Sequence, residues 1–287
     1  MKKILAAAVG AALSFGASAA PATFLPPGPI YLKFSGAEQI AINGATTFEG
    51  SKEINWGVFV VSTLELGSVS TPHDSIDTTG DIFFVNGMKN GADKGAQITG
   101  MFFGIEQGEF SPANPFPATK GYMDLYWRDL NSMTKTSLGG SVDGVRCGYD
   151  CANGYTQGTF LGRLMFDTGM DVANPNNTIV GTSVPSSNGF SGFADSYASV
   201  DVSKDGLWTE QLDSDYFKNR LGTRDLRFKN SYNQNTLWNS KTNANILGAS
   251  VADPGQAYAL PEPGALSLMG LAMVGMGVAL RRRQNQA

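Results

Sequence analysis

The chain carries one histidine, His73, in Thr71-Pro72-His73-Asp74, and two cysteines, Cys147 and Cys151. A single imidazole cannot build a multi-histidine metal site, and a serine triad would have to recruit this one residue from a polar, proline-bearing loop. No Gly-x-Ser-x-Gly elbow accompanies it. His73 is therefore read as a solvated loop residue. Cys147 and Cys151 have no histidine beside them and are not separated by two residues, so they complete neither a zinc site nor a thioredoxin-like redox pair. In an oxidising compartment they are expected to close a small disulfide loop.

Three other groupings could bind a ligand. In Gly121 to Arg128, strand alternation sends Tyr122, Asp124 and Tyr126 to one face and Met123, Leu125 and Trp127 to the other. The second set reads as core. The first could stack sugar rings on its tyrosines while Asp124 accepts hydroxyl hydrogen bonds, although such residues are ordinary on the wet face of a strand. Asp201-Val202-Ser203-Lys204-Asp205-Gly206 resembles the first half of an EF-hand loop. Leu212 stands where that pattern needs its bidentate carboxylate, so the segment reads as a turn. Asp201, Asp205 and Asp213 remain the candidates for an irregular calcium site. No cofactor is implied. Paired carboxylates for glycoside hydrolysis cannot be singled out from spacing alone.

These residues sit in a chain of 287, with 42% hydrophobic and 16% charged residues, which is enough apolar material for one large globular domain. Five basic residues lie at the two ends: Lys2, Lys3, Arg281, Arg282 and Arg283. Residues 20–260 hold 16 basic and 24 acidic residues, a net charge of −8. That field repels nucleic acid, and no Lys/Arg cluster in the body opposes it.

Period-two alternation marks strands at Ile30 to Phe34, Ile54 to Leu66, Asp81 to Val85, Gln97 to Gln107, Gly121 to Arg128 and Gly158 to Phe166. It resumes at Asp225 to Phe228 and at Ala249 to Val251. Asn43-Gly44, Asn86-Gly87, Asn90-Gly91 and Gly139-Gly140 supply turns. Ser132 to Tyr155 reads as a surface excursion. Only Leu207 to Leu221, with Trp208, Leu212 and Tyr216 at helical spacing, suggests a helix. Many short antiparallel strands without a βαβ rhythm predict an all-β body, a two-sheet β-sandwich of jelly-roll type.

The ends have a different character. Lys2 and Lys3, an apolar run from Ile4 to Phe15, and the small residues Ala17 and Ala19 form the three-part layout of a secretory signal. Cleavage by signal peptidase after Ala19 gives a signal peptide of residues 1–19 and a body beginning at Ala20. At the other end, Gly264 to Leu280 is a run of 17 residues without a charge. As a helix it would be about 25 Å long, marginal for spanning a bilayer. Arg281, Arg282 and Arg283 follow it and hold that end in the cytoplasm, which leaves the body outside. Before it stand Pro261-Glu262-Pro263, whose prolines bar helix and keep Glu262 on an extended segment.

The order Pro261-Glu262-Pro263, apolar Gly264 to Leu280, then Arg281 to Arg283 resembles the PEP-CTERM sorting signal, here residues 261–287. The resemblance implies processing by an exosortase, an integral membrane cysteine peptidase of exopolysaccharide-making Gram-negative bacteria. The body would be transiently anchored through the C-terminal helix and then placed at the cell surface or in the extracellular matrix. A plain membrane anchor would explain the helix and leave the Pro-Glu-Pro motif unexplained. The expectation is a domain of residues 20–260 acting without catalysis as a component or binder of matrix polysaccharide. The alternative is a secreted lectin or polysaccharide-acting enzyme with the same tail.

Overall fold

The computed structural model describes residues 25–87, 95–111, 114–138, 152, 154–186 and 189–262, together with residues 273 and 276. The strands are β1 (Gly28–Ala41), β2 (Glu53–Val69), β3 (Ile76–Val85), β4 (Ala96–Gln107), β5 (Ala118–Asp129) and β6 (Thr159–Phe166). They continue as β7 (Ile179–Ser186), β8 (Gly189–Val200), β9 (Phe217–Asn219), β10 (Gly222–Arg224), β11 (Leu226–Gln234) and β12 (Ile246–Ala259). A one-turn helix α1 (Thr209–Leu212) and a 3-10 turn (Thr236–Trp238) complete the body. The all-β expectation holds.

Strands β9 and β10 pair only with each other, and the rest form one ten-stranded sheet. β1 is bonded along one edge to β12, from Gly28↔Ala259 to Ala41↔Ile246, and along the other to β2, from Ile30↔Leu66 to Ile40↔Asn55. The path β1–β12–β11–β8–β6–β5–β4–β2 therefore returns to β1, and the sheet closes on itself. Closure satisfies backbone groups that open edges would leave free. β3 extends along β2 beyond the end of β4, and β7 continues the line of β6 between β5 and β8.

Alternation turns one face of each strand inward. Ile30, Leu32 and Phe34 of β1 join Phe59 and Val61 of β2, Ile98 and Phe102 of β4, Leu125 and Trp127 of β5, and Phe228 of β11 in one core inside the ring. Each large side chain taken out of water there contributes roughly 1.5–3 kcal/mol before ordering costs. The outer face of β1, β2 and β4 carries a second core, in which Ala37, Trp56, Val58, Val60, Met101 and Phe103 are covered by Trp238 and Tyr155. Gln39 ties its two tryptophans together, accepting from Trp56 Nε1 at 3.0 Å and donating to the Trp238 carbonyl at 3.0 Å.

The parity of β4 changes at Gly104, whose φ is 70°, a conformation that costs glycine least. Phe102 and Ile105 thus both face the interior although three residues apart. β5 shifts opposite it: Ala118 and Met123 share the inner core across Lys120 and Gly121, both at positive φ. The two irregularities lie opposite each other across β4 and β5.

Several expected elements differ in extent. Ala249 to Val251 lies within the 14-residue β12 rather than forming a short strand. The helix expected over Leu207 to Leu221 is confined to Thr209–Leu212. Trp208, Leu212 and Phe217 are buried as their pattern requires, but Asp225 Oδ1 accepts the Ser214 and Asp215 amides at 2.7 Å each and pulls the chain out of helix. The stretch from Ser132 to Tyr155 ends buried rather than on the surface. Tyr155 is 3% exposed, and its carbonyl accepts from Thr99 Oγ1 at 2.7 Å.

The expected signal peptide, with Ala17, Ala19 and Ala20, lies outside the described residues, as do Cys147, Cys151, Pro263, Arg281, Arg282 and Arg283. Of the expected C-terminal helix only Met273 and Met276 are described, both helical. No helix among the described residues is long and apolar enough to cross a membrane.

Candidate functional site

Beside the irregularities of β4 and β5 the ring encloses a cavity of about 350 Å³. That volume falls in the range of small-molecule sites, about 300–1,000 Å³. Phe34, Phe102, Ile105, Met123, Phe166 and Val251 make its wall, and Ile42, Phe110 and Phe116 stand at its rim. The rim residues are exposed, Phe110 at 65%. An apolar interior thus opens through an apolar mouth.

Into this wall β1 places a carboxylate. The inward phase of Ile30, Leu32 and Phe34 continues through Gly36 to Glu38, which is 6% exposed and lines the cavity. Asn55, two residues along β2 from Glu38's partner Gly57, donates Nδ2 to Glu38 Oε2 at 2.9 Å. Gly57 has no side chain because a Cβ there would lie 2.4 Å from Phe102 Cζ and 2.9 Å from Glu38 Cβ. Burial pushes the Glu38 carboxyl up to about 7, and the Asn55 hydrogen bond only partly opposes it. Asn55 Oδ1 and Asn230 Oδ1, also in the lining, are buried without a hydrogen-bond partner. Tyr232, the next inward residue after Asn230, donates its hydroxyl to the Thr182 carbonyl at 2.8 Å.

The residues singled out by sequence lie elsewhere. Tyr122, Asp124 and Tyr126 share one face of β5, as alternation requires, but that face is not a wet sugar-binding surface. Asp124 is 1% exposed and forms a two-point ion pair with Arg163 of β6, Nε to Oδ1 at 2.6 Å and Nη2 to Oδ2 at 2.7 Å. The two residues are directly opposed across the strands. The guanidinium also lies over the rings of Phe103 and Tyr122, at 5.3 and 5.5 Å, while Tyr126 packs on Phe160. Asp124 is therefore buried in an ion pair rather than presented to solvent, while Tyr122 and Tyr126 are half-buried.

His73 is exposed, at φ 66°. Its Nδ1 lies 2.7 Å from the Tyr216 carbonyl, its ring packs on Tyr216, and its own carbonyl accepts from Lys218 N. These contacts fasten the loop before β3 to β9. Asp201 Oδ1 accepts from the Ser203 amide and hydroxyl, at 3.1 and 2.5 Å, which is the turn closing β8. The described residues hold no group of three or more His, Cys, Asp or Glu placed to bind a metal ion, so Asp201, Asp205 and Asp213 are not gathered into a calcium site.

Glu38, Asn55 and Asn230 were not marked by any motif. The one available signal was phase: counting by two from Phe34 puts Glu38 on the buried side of its strand. Asn55 and Asn230 gave none, since asparagine is common in the turns and wet faces of such a chain.

No family model, curated protein or solved structure matches the chain, so its cavity and its two ends are what the functional reading rests on.

Proposed function

We propose that this chain is an exported surface protein, released from a membrane-held precursor through its Pro-Glu-Pro tail, whose body works by binding rather than catalysis. The observation that carries the reading is the separation of body from tail. β12 supplies a wall of the closed ring along its whole length and ends at Ala259. Leu260 then bonds to the Gln211 carbonyl at 2.7 Å, and Pro261 and Glu262 follow in no regular structure. A processing enzyme acting at Pro261-Glu262-Pro263 would take nothing from the ring.

In this reading, signal peptidase cleaves after Ala19, the apolar helix of residues 264–280 holds the precursor in the inner membrane, and Arg281 to Arg283 stay in the cytoplasm. An exosortase then frees the body to the surface or matrix of a Gram-negative cell, among its polysaccharides. The ring is flattened into two facing layers of jelly-roll type, and Cys147 and Cys151 close a disulfide in the oxidising space outside the membrane. The acidic body suits a soluble matrix component rather than a nucleic-acid binder.

Replacing Pro261, Glu262 and Pro263 together with alanine tests the sorting step. The expected outcome is a body that stays with the membrane fraction of the native host while keeping the thermal midpoint of the unaltered chain. Release of the altered chain in the same amount as the unaltered one would overturn the reading.

A further inference from the structure

We propose that the cavity inside the ring is a binding site for an amphiphilic primary amine, with the ammonium group held at Glu38 and Asn55 and the hydrocarbon among the phenylalanines. The inference rests on the body alone and stands whether or not the tail is processed.

Three features of the site select this chemistry. The wall is apolar, and the exposed Ile42, Phe110 and Phe116 extend that surface to the mouth, which suits a chain entering end-on. The one carboxylate in the lining is that of Glu38, and the two lining side-chain atoms buried without a partner, Asn55 Oδ1 and Asn230 Oδ1, are both acceptors. The Asn55 amide cannot turn to offer its nitrogen to the cavity, because that nitrogen is committed to Glu38 Oε2. Finally, no lysine or arginine is among the described residues lining the cavity, so its carboxylate has no cation of the protein's own.

Buried acceptors left unpaired cost free energy that a donor-bearing ligand recovers. An alcohol brings one donor and two further lone pairs to be satisfied; an ammonium brings three donors and no acceptor. It also neutralises the carboxylate, which a hydroxyl does not. A carboxylic acid would add acceptors where acceptors are already in excess. An unbranched alkyl chain matches a cavity of this size lined by Phe34, Phe102, Phe166 and Met123.

The test is equilibrium dialysis of the full chain in lipid nanodiscs against decylamine, decanol and decanoate. Ala194→Phe, which fills the cavity from β8, supplies the background of partition into lipid. Saturable binding of one decylamine per chain, tighter than decanol and decanoate, is the expected result. Glu38→Gln, which keeps the shape of the wall, should weaken decylamine by about thirtyfold or more and leave decanol nearly unchanged. Failure of decylamine to bind above background, equal or tighter binding of decanoate or decanol, or full decylamine affinity in Glu38→Gln would each overturn the proposal. The last comparison stands even where Ala194→Phe does not fold.

Discussion

Asp124→Ala is expected to destabilise the body by about 3–5 kcal/mol, the range found when one member of a buried ion pair is removed. Arg163 would keep its place on β6, against the rings of Phe103 and Tyr122, with only 19% of its side chain exposed and its two hydrogen bonds to Asp124 lost. The cost comes from a half-buried guanidinium deprived of its Asp124 oxygens more than from the lost attraction. It follows that Asp124→Leu combined with Arg163→Met should recover much of the stability, because an apolar pair of similar volume needs no compensation in this place. Urea denaturation of the two variants beside the unaltered chain reads both effects. A loss below about 1 kcal/mol in Asp124→Ala, the value of an exposed pair, would show that the face is wet after all.

Glu38→Gln is expected to act in the opposite direction and to depend on pH. The carboxyl titrates at its ordinary 4.5 in the unfolded chain and at about 7 in the folded one, so the folded state holds the proton more tightly. Below pH 4.5 both states are protonated and the group's contribution to stability is complete. Between 4.5 and 7 the unfolded chain releases the proton first, and stability falls as pH rises. Above 7 the loss levels off at roughly 3 kcal/mol, the worth of the displacement. Glutamine keeps an acceptor for Asn55 and carries no proton to lose. The difference in unfolding free energy between Glu38→Gln and the unaltered chain should therefore grow by about 3 kcal/mol from pH 4.5 to pH 8 in favour of the variant. Titration of every other group is common to both chains and cancels. A difference that stays flat across that range would place Glu38 in water and remove the buried carboxylate on which the ligand site depends.

Strands with one apolar face could be read directly. Ile30 to Phe34 and Gln97 to Gln107 alternate because one side meets the core, and both fall in β1 and β4. β7 and β8 escaped notice because Gly, Ser and Asp crowd Ile179–Ser186 and Gly189–Val200 and mute the alternation; they pair with each other along their length, and β8 pairs also with β11. Spacing alone misled at Leu207 to Leu221, where buried residues at helical intervals are served equally well by one helical turn, a residue at φ 51° (Asp215) and a short strand. The phase of Asp124 was legible but its partner was not, since Arg163 is 39 residues away and only strand pairing brings it opposite. Closure of the sheet belongs to the same class: nothing local to β1 says that it will pair with both β2 and β12. The irregularities at Gly104 and at Lys120 to Gly121, beside the cavity residues Ile105, Ala118 and Met123, are announced by no apolar pattern either.

The central claim is that the chain has a body complete in itself and a tail that is an address to be removed. Intact-mass measurement of the protein recovered from its native host, with and without the exosortase, tests this most directly. The account predicts a mature form that begins at Ala20 and has lost the residues beyond the Pro-Glu-Pro motif when the exosortase is present, and a form still ending at Ala287 when it is absent. A product ending at Ala287 in both strains would contradict it.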